Sequence, residues 1–146
     1  MSLPTSARIL IADDRPQGLE LMEAYLSDTS FDTKTASNGE DTLRLTREWK
    51  PDVILLDVMM PRISGFEVCQ QLRANPETQN IGVLMVTALD QATDVERGVA
   101  AGTDDFLTKP INKTELVRRI EALLKSRHEP TSLARTLAYI RAVLQG

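Results

Sequence analysis

The stretch Ile9-Leu10-Ile11-Ala12-Asp13-Asp14-Arg15-Pro16, ILIADDRP, decides the fold. Four apolar residues end abruptly in two adjacent aspartates, followed by an arginine and a proline. A short continuous apolar run of this kind reads as a strand buried on both faces, as in parallel sheets. Two carboxylates placed side by side repel each other unless solvent or a cation intervenes. The strand therefore carries its charges to a place where something offsets them.

Working outward, short apolar runs alternate with longer amphipathic ones. The spacing predicts strands over Arg8–Ala12, Thr33–Ala36, Val53–Leu56, Val83–Val86 and Asp105–Leu107. Between them it predicts helices over Gln17–Leu26, Gly39–Trp49, Ser64–Ala74, Thr93–Ala101 and Lys113–Ser126, the last carrying Leu116, Ile120, Leu123 and Leu124 at helical spacing. Parallel strands joined by helices need right-handed crossovers, so the economical architecture is α/β: a doubly wound five-stranded parallel sheet with helices on both sides. Ser37-Asn38-Gly39 and Ala101-Gly102-Thr103 read as turns, and Asn75-Pro76 opens a loop.

After Ser126 the periodicity stops at RHEPTS, and Pro130, Thr131 and Ser132 offer a new helix start. Leu133, Leu137, Ile140 and Leu144 then recur at spacings of four, three and four, a short coiled-coil-like seam. Two readings stand open: an extra C-terminal helix packed on its own domain, or one that dimerises or leads to an output domain. The expected division is 6–127 for the main domain and 128–146 for a linker and helix.

Bulk properties narrow the function. The chain has 146 residues, 42% of them hydrophobic, enough for one well-cored domain. Its net charge of −4 provides no basic field for a phosphate backbone, so direct nucleic-acid binding is not expected. The single cysteine, Cys69, excludes an internal disulfide and reads as core. No apolar run approaches the ~20 residues of a membrane span, and MSLPTSAR has no secretion-signal character, so a cytoplasmic location without a membrane partner is expected.

Ligands of open α/β sheets sit beyond the carboxyl ends of the strands. Asp13 and Asp14 follow the first strand, Asp57 the third, Thr87 the fourth, and Lys109 comes after the fifth. Singly, each has a bland reading as turn former, helix cap, strand propensity or surface charge. Together they put three carboxylates, a hydroxyl and an amine on one edge. An oxygen-rich site with few protein ligands suits Mg²⁺, which keeps waters and commonly also binds phosphate. A phosphoryl group is the natural partner for the lysine and threonine, and Asp57, central in the sheet, is the candidate nucleophile.

With these residues in place, the chain resembles the receiver domain of two-component response regulators, the chemotaxis-regulator-like family, over roughly Arg8 to Ser126. The matching pieces are IADD (Ile11–Asp14), LLDVMMPRISG with Asp57, Met60, Pro61 and Gly65, the pair Thr87-Ala88, and AGTDDFLTKP ending in Lys109-Pro110. The resemblance implies a flavodoxin-like strand order of 2-1-3-4-5. It implies Asp57 as phosphoacceptor, Asp13 and Asp14 as the acid pair, and Mg²⁺ held by Asp14, Asp57 and the backbone carbonyl of Met59, with Asp13 in the metal cluster. Thr87 and Lys109 would sense the phosphoryl group, Phe106 would be the switch aromatic, and the Lys109-Pro110 bond would be cis. The implied partner is a sensor histidine kinase or phosphotransfer protein, since the only histidine, His128, sits in the break after the fifth helix. The resemblance leaves the oligomeric state open; a homodimer, where one forms, would use the surface of the fourth helix, fifth strand and fifth helix, or the C-terminal helix. Met59 and Leu89, apolar at positions the resemblance places near the attacking water, imply slow self-dephosphorylation.

Two rivals differ in kind. A phosphohydrolase of the haloacid-dehalogenase type also uses an aspartyl phosphate, but resembles DxDx[TV] with an acid two residues after the nucleophile, where this chain has Met59. A receiver-like module that is never phosphorylated is the other.

Overall fold

The structure is a computed structural model that describes residues 6–88 and 92–145. Five strands, β1 (Arg8–Ala12), β2 (Asp32–Ala36), β3 (Val53–Leu56), β4 (Gly82–Thr87) and β5 (Asp105–Thr108), form one parallel sheet in the order β2-β1-β3-β4-β5. They alternate with α1 (Pro16–Leu26), α2 (Gly39–Trp49), α3 (Gly65–Ala74), α4 (Ala92–Ala101) and α5 (Lys113–Ser126), and α6 (Ser132–Gln145) follows. The expected class and strand order both hold. Boundaries shift by a residue or so where hydrogen bonding, not hydrophobicity, sets the end. Ser64 is the N-cap of α3, accepting from Glu67 N at 3.3 Å, and Thr87 belongs to β4.

Strand alternation builds two cores, one on each face of the sheet. Leu10, Ile54, Leu56, Val83 and Met85 face Val68, Cys69 and Leu72 of α3. Ile9, Ile11, Val53, Leu55, Leu84 and Val86 face Met22 and Leu26 of α1 and Leu116, Ile120 and Leu123 of α5. Every residue of β3 and β4 is buried, as the unbroken apolar runs require. The edge strand β2 alternates polar residues, and β5, on the other edge, is only half-buried. Asn38 and Asn112 cap α2 and α5 through Asp41 N (2.8 Å) and Glu115 N (3.0 Å).

Helix α6 turns back along α5. Tyr139 is buried in the α5-side core, with Ala142 and Val143 packed nearby, and its hydroxyl donates to Asp105 Oδ2, which Arg119 also contacts. The seam of Leu133, Leu137, Ile140 and Leu144 points the other way, into solvent. Among the described residues no helix is long and apolar enough to cross a membrane.

Candidate functional site

The carboxyl ends of the strands are joined by one further backbone bond each. Asp13 N donates to Ala36 O (3.1 Å), Asp57 N to Ala12 O (2.9 Å) and Lys109 N to Thr87 O (2.8 Å). The sheet thus fixes the backbone at Asp13, Asp57 and Lys109 before any side-chain contact is made. Asp13 and Asp57 are buried, whereas Asp14 is exposed.

One carboxylate oxygen from each of Asp13, Asp14 and Asp57 lies within 4.8 Å of the others. Lys109 Nζ donates to Asp57 Oδ2 at 3.0 Å and to Asp13 Oδ2 at 3.3 Å. The remaining oxygens are held by main chain: Met59 N donates to Asp57 Oδ1 and Arg15 N to Asp13 Oδ1, each at 2.9 Å. Three carboxylates facing one ammonium leave a local excess of negative charge.

The electrostatics follow from that count. Burial pushes the Asp57 carboxyl above its ordinary range and the neighbouring Asp13 charge adds to it, while the Met59 N–H and Lys109 pull it down without cancelling the rise. For Lys109, loss of solvent alone lowers the ammonium pKa, but the bonds and charges of Asp57 and Asp13 outweigh this and the net shift is upward. A cluster of clustered oxygens, acidic, hard and open on the Asp14 side, fits a Mg²⁺ ion with several waters retained.

The other expected residues also find places. Thr87 is buried at the end of β4, paired in register with Thr108 beside Lys109. The Lys109-Pro110 peptide is cis. Phe106 is half-buried, with its ring against the α3-side core and Gly98 of α4. Met59 is 60% exposed, and its apolar side chain leaves no acid or base two residues after Asp57. Leu89 lies outside the described residues. His128 is exposed in the turn between α5 and α6.

Two glycines were not anticipated as functional. A Cβ on Gly18 of α1 would collide with Asp13 Oδ2, and one on Gly98 would collide with the Phe106 ring. Neither glycine stands in a turn pattern, so no local signal marks it; both are needed only because a particular side chain arrives from a distant strand.

Two clefts flank the acids. One, of about 350 Å³, runs between α1 and the segment after β5, past Leu21, Lys109 and Ile111. The other, of about 340 Å³, lies between the segment after β3 and α4, where Arg97 stacks on the Phe66 ring with 4.3 Å to its centroid.

Comparison with known proteins gives a consistent answer. The family model for the response regulator receiver domain matches residues 9–121. Response regulator PleD of Caulobacter vibrioides is 42% identical over 120 residues, covering 82% of this chain but 26% of PleD. Protein PilH of Pseudomonas aeruginosa is 42% identical over 118 residues, covering 81% of this chain and 98% of PilH. The chain therefore spans about a quarter of one relative and nearly all of another. Among solved structures, the signal receiver domain of a signal transduction histidine kinase from Syntrophus aciditrophicus superposes with a TM-score of 0.79 at 32% identity, covering 87% of this chain and 96% of that one. The receiver domain of sensor histidine kinase PA1611 from P. aeruginosa, described with magnesium coordinated in its active-site cleft, gives 0.76 at 25% identity and covers 82% and 98%.

Proposed function

Because this chain belongs to the response regulator receiver domain family, we propose that it is a phosphorylation-driven switch whose phosphoacceptor is Asp57. The observation that carries this reading is the meeting of Asp57 with Lys109 at 3.0 Å inside the cluster of three carboxylates. The donor is a phosphohistidine on a separate sensor kinase or phosphotransfer protein. A carboxylate oxygen of Asp57 forms a bond to phosphorus as the phosphorus–nitrogen bond breaks, and the electron pair returns to the imidazole, which takes up a proton.

The residues divide the work. Met59 N–H and Lys109 hold the Asp57 carboxylate in one orientation, and Lys109 is positioned to bond to an incoming phosphoryl oxygen. Asp13, Asp14, Asp57 and the carbonyl of Met59 would hold Mg²⁺, which supplies positive charge against the carboxylates and the phosphoryl oxygens. Thr87 donates its hydroxyl to a phosphoryl oxygen, and its inward movement alters the packing of Phe106 against Gly98, passing the change to α4, β5 and α5. The protein assists its own phosphorylation and its slow reversal. The apolar flanks of the two clefts, Leu21 and Met59, receive the donor protein.

We read residues 6–127 as the receiver and 128–146 as an appended helix, which lies past the end of the family match. A cytoplasmic location agrees with a donor kinase that uses ATP. The test is incubation of the chain with acetyl phosphate and Mg²⁺ followed by intact mass measurement. A gain of one phosphoryl group in the native chain, lost in Asp57→Asn and on chelation of the metal, is expected; equal labelling of Asp57→Asn refutes the assignment.

A further inference from the structure

A cavity of about 290 Å³ lies at the amino ends of β4 and β5. The length of β4, roughly 17 Å at the usual rise per residue, separates it from the carboxyl ends that carry the acid cluster. Its walls come from two parts of the chain. Arg73, Asp104 and Arg127 belong to the body of the domain, whereas Ser132, Arg135 and Thr136 come from the first turns of α6. The cavity therefore exists only while α6 is docked.

The charges of the lining say what it would take. Three guanidiniums face one carboxylate. Arg73 is fully engaged, donating to Gly102 O (2.8 Å), Gln79 O (2.9 Å) and Ile81 O (2.6 Å) and pairing with Asp104 Oδ2 at 2.9 Å. The same Asp104 oxygen also accepts from Val83 N at 2.7 Å. Arg127 pairs with Asp52, outside the cavity. Arg135 differs. It donates only to neutral oxygens, Glu129 O and Ser132 Oγ, each at 3.2 Å, and makes no ion pair among the described residues. Counting Asp104 and Asp52 against the three arginines leaves one positive charge in excess, within a chain whose net charge is −4. The Asn80 carboxamide and the Thr136 hydroxyl line the same cavity and make no hydrogen bond among the described residues.

A guanidinium without a carboxylate partner, beside uncommitted amide and hydroxyl donors in a concave space, is complementary to an oxyanion. The volume stands at the low end of the ~300–1,000 Å³ typical of small-molecule sites, so the ligand is small. We propose that this cavity binds a small molecule carrying an oxyanion, a phosphate or a carboxylate, through Arg135, Thr136 and Asn80, and that the bound anion fastens α6 to the domain. Arg135 and Thr136 lie on α6 and Asn80 on the segment before β4, so the ligand bridges the two. Binding and docking of α6 then favour each other by the same factor. The site shares no residue with the acid cluster and does not depend on the chemistry of Asp57.

Calorimetric titration of the metal-free 146-residue chain with inorganic phosphate, and separately with malonate, at constant ionic strength tests this. At least one of the two should bind saturably with a Kd of roughly 1 mM or tighter, and equally in Asp57→Asn; which one binds tells a phosphate ligand from a carboxylate. Arg135→Gln removes the charge-assisted bonds and should weaken binding about tenfold or more. Thr136→Val leaves Arg135 in place and should weaken it severalfold, a check that holds even where Arg135→Gln loosens α6. The anion should also slow amide hydrogen exchange across α6 in the native chain. Absence of saturable binding by both anions up to roughly 10 mM, equal affinity in the native chain and both variants, or binding that leaves exchange in α6 unchanged overturns the proposal.

Discussion

Lys109 Nζ stands 3.0 Å from Asp57 Oδ2, across 52 residues of sequence, and it is the only side-chain cation that the structure brings to the acid cluster among the described residues. Replacing it with alanine leaves the buried Asp57 carboxylate facing Asp13 with no positive partner. Its pKa, already raised by burial, should rise further. Loss of one preorganised donor to the reacting group costs roughly a hundredfold in rate. Phosphorylation of Lys109→Ala by acetyl phosphate, followed by mass spectrometry, should slow by about that factor; an unchanged rate would remove Lys109 from the mechanism.

Gly18 is tested by the smallest possible addition. Alanine in a helix interior ordinarily stabilises by up to about 1 kcal/mol over glycine. Here the new methyl meets Asp13 Oδ2, the oxygen that accepts from Lys109 Nζ, so the carboxylate must leave the position it holds in the acid cluster. The expected outcome of Gly18→Ala is no gain in stability and Mg²⁺ binding weakened about tenfold or more, measured by calorimetry. A more stable protein with normal Mg²⁺ affinity would show that Asp13 has room to spare.

Gly98 and Phe106 should be coupled energetically. Gly98→Ala drives a methyl into the Phe106 ring, while Phe106→Leu opens the space. Each single change is expected to destabilise, and the double change to be less harmful than their sum by roughly 1 kcal/mol, a size typical of residues in direct contact. Additive effects in urea unfolding would mean that α4 does not register the position of the ring.

Cys69 gives a pH dependence of known sign. Burial raises its thiol from an ordinary 9.0 to about 11. Between those values the unfolded chain has released a proton that the folded chain keeps, so stability falls as pH rises through the window. The slope is roughly 1.4 kcal/mol per pH unit. Unfolding free energies of the native chain and Cys69→Ala, measured from pH 9 to 11, should converge as pH rises; parallel curves would mean the thiol is not shielded.

Met59 lies beside the acceptor with its side chain largely in water and nothing to orient an attacking one. The phosphorylated chain should therefore lose its phosphoryl group slowly. Met59→Asn combined with Leu89→Glu is expected to shorten the lifetime by about tenfold or more, as positioned polar groups assist proton transfer. Equal lifetimes by phosphoprotein gel would show that hydrolysis is limited elsewhere.

The strand runs of Ile9–Ala12, Val53–Leu56 and Val83–Val86 announced a buried parallel sheet because residues shielded on both faces must all be apolar. Asp13, Asp57, Thr87 and Lys109 were legible as one site for a related reason: once the strands are parallel, their carboxyl ends coincide, and whatever follows each strand converges. Edges were less legible. Ser64 and Thr87 changed element because a cap and a ladder bond, both local hydrogen bonds, decide where an element stops.

Sequence alone established the class, the order of elements and which polar residues stand at the strand ends, since these depend on periodicity and on polar residues at fixed positions. Tertiary structure decided the rest: that Gly18 and Gly98 are clearances for Asp13 and Phe106, and which face of α6 is buried. That helix carries apolar residues on both sides, so periodicity cannot choose between them. The choice falls to Tyr139 because Asp105, brought alongside by β5, accepts its hydroxyl bond and makes burial of that polar tip affordable, leaving the leucine seam outside.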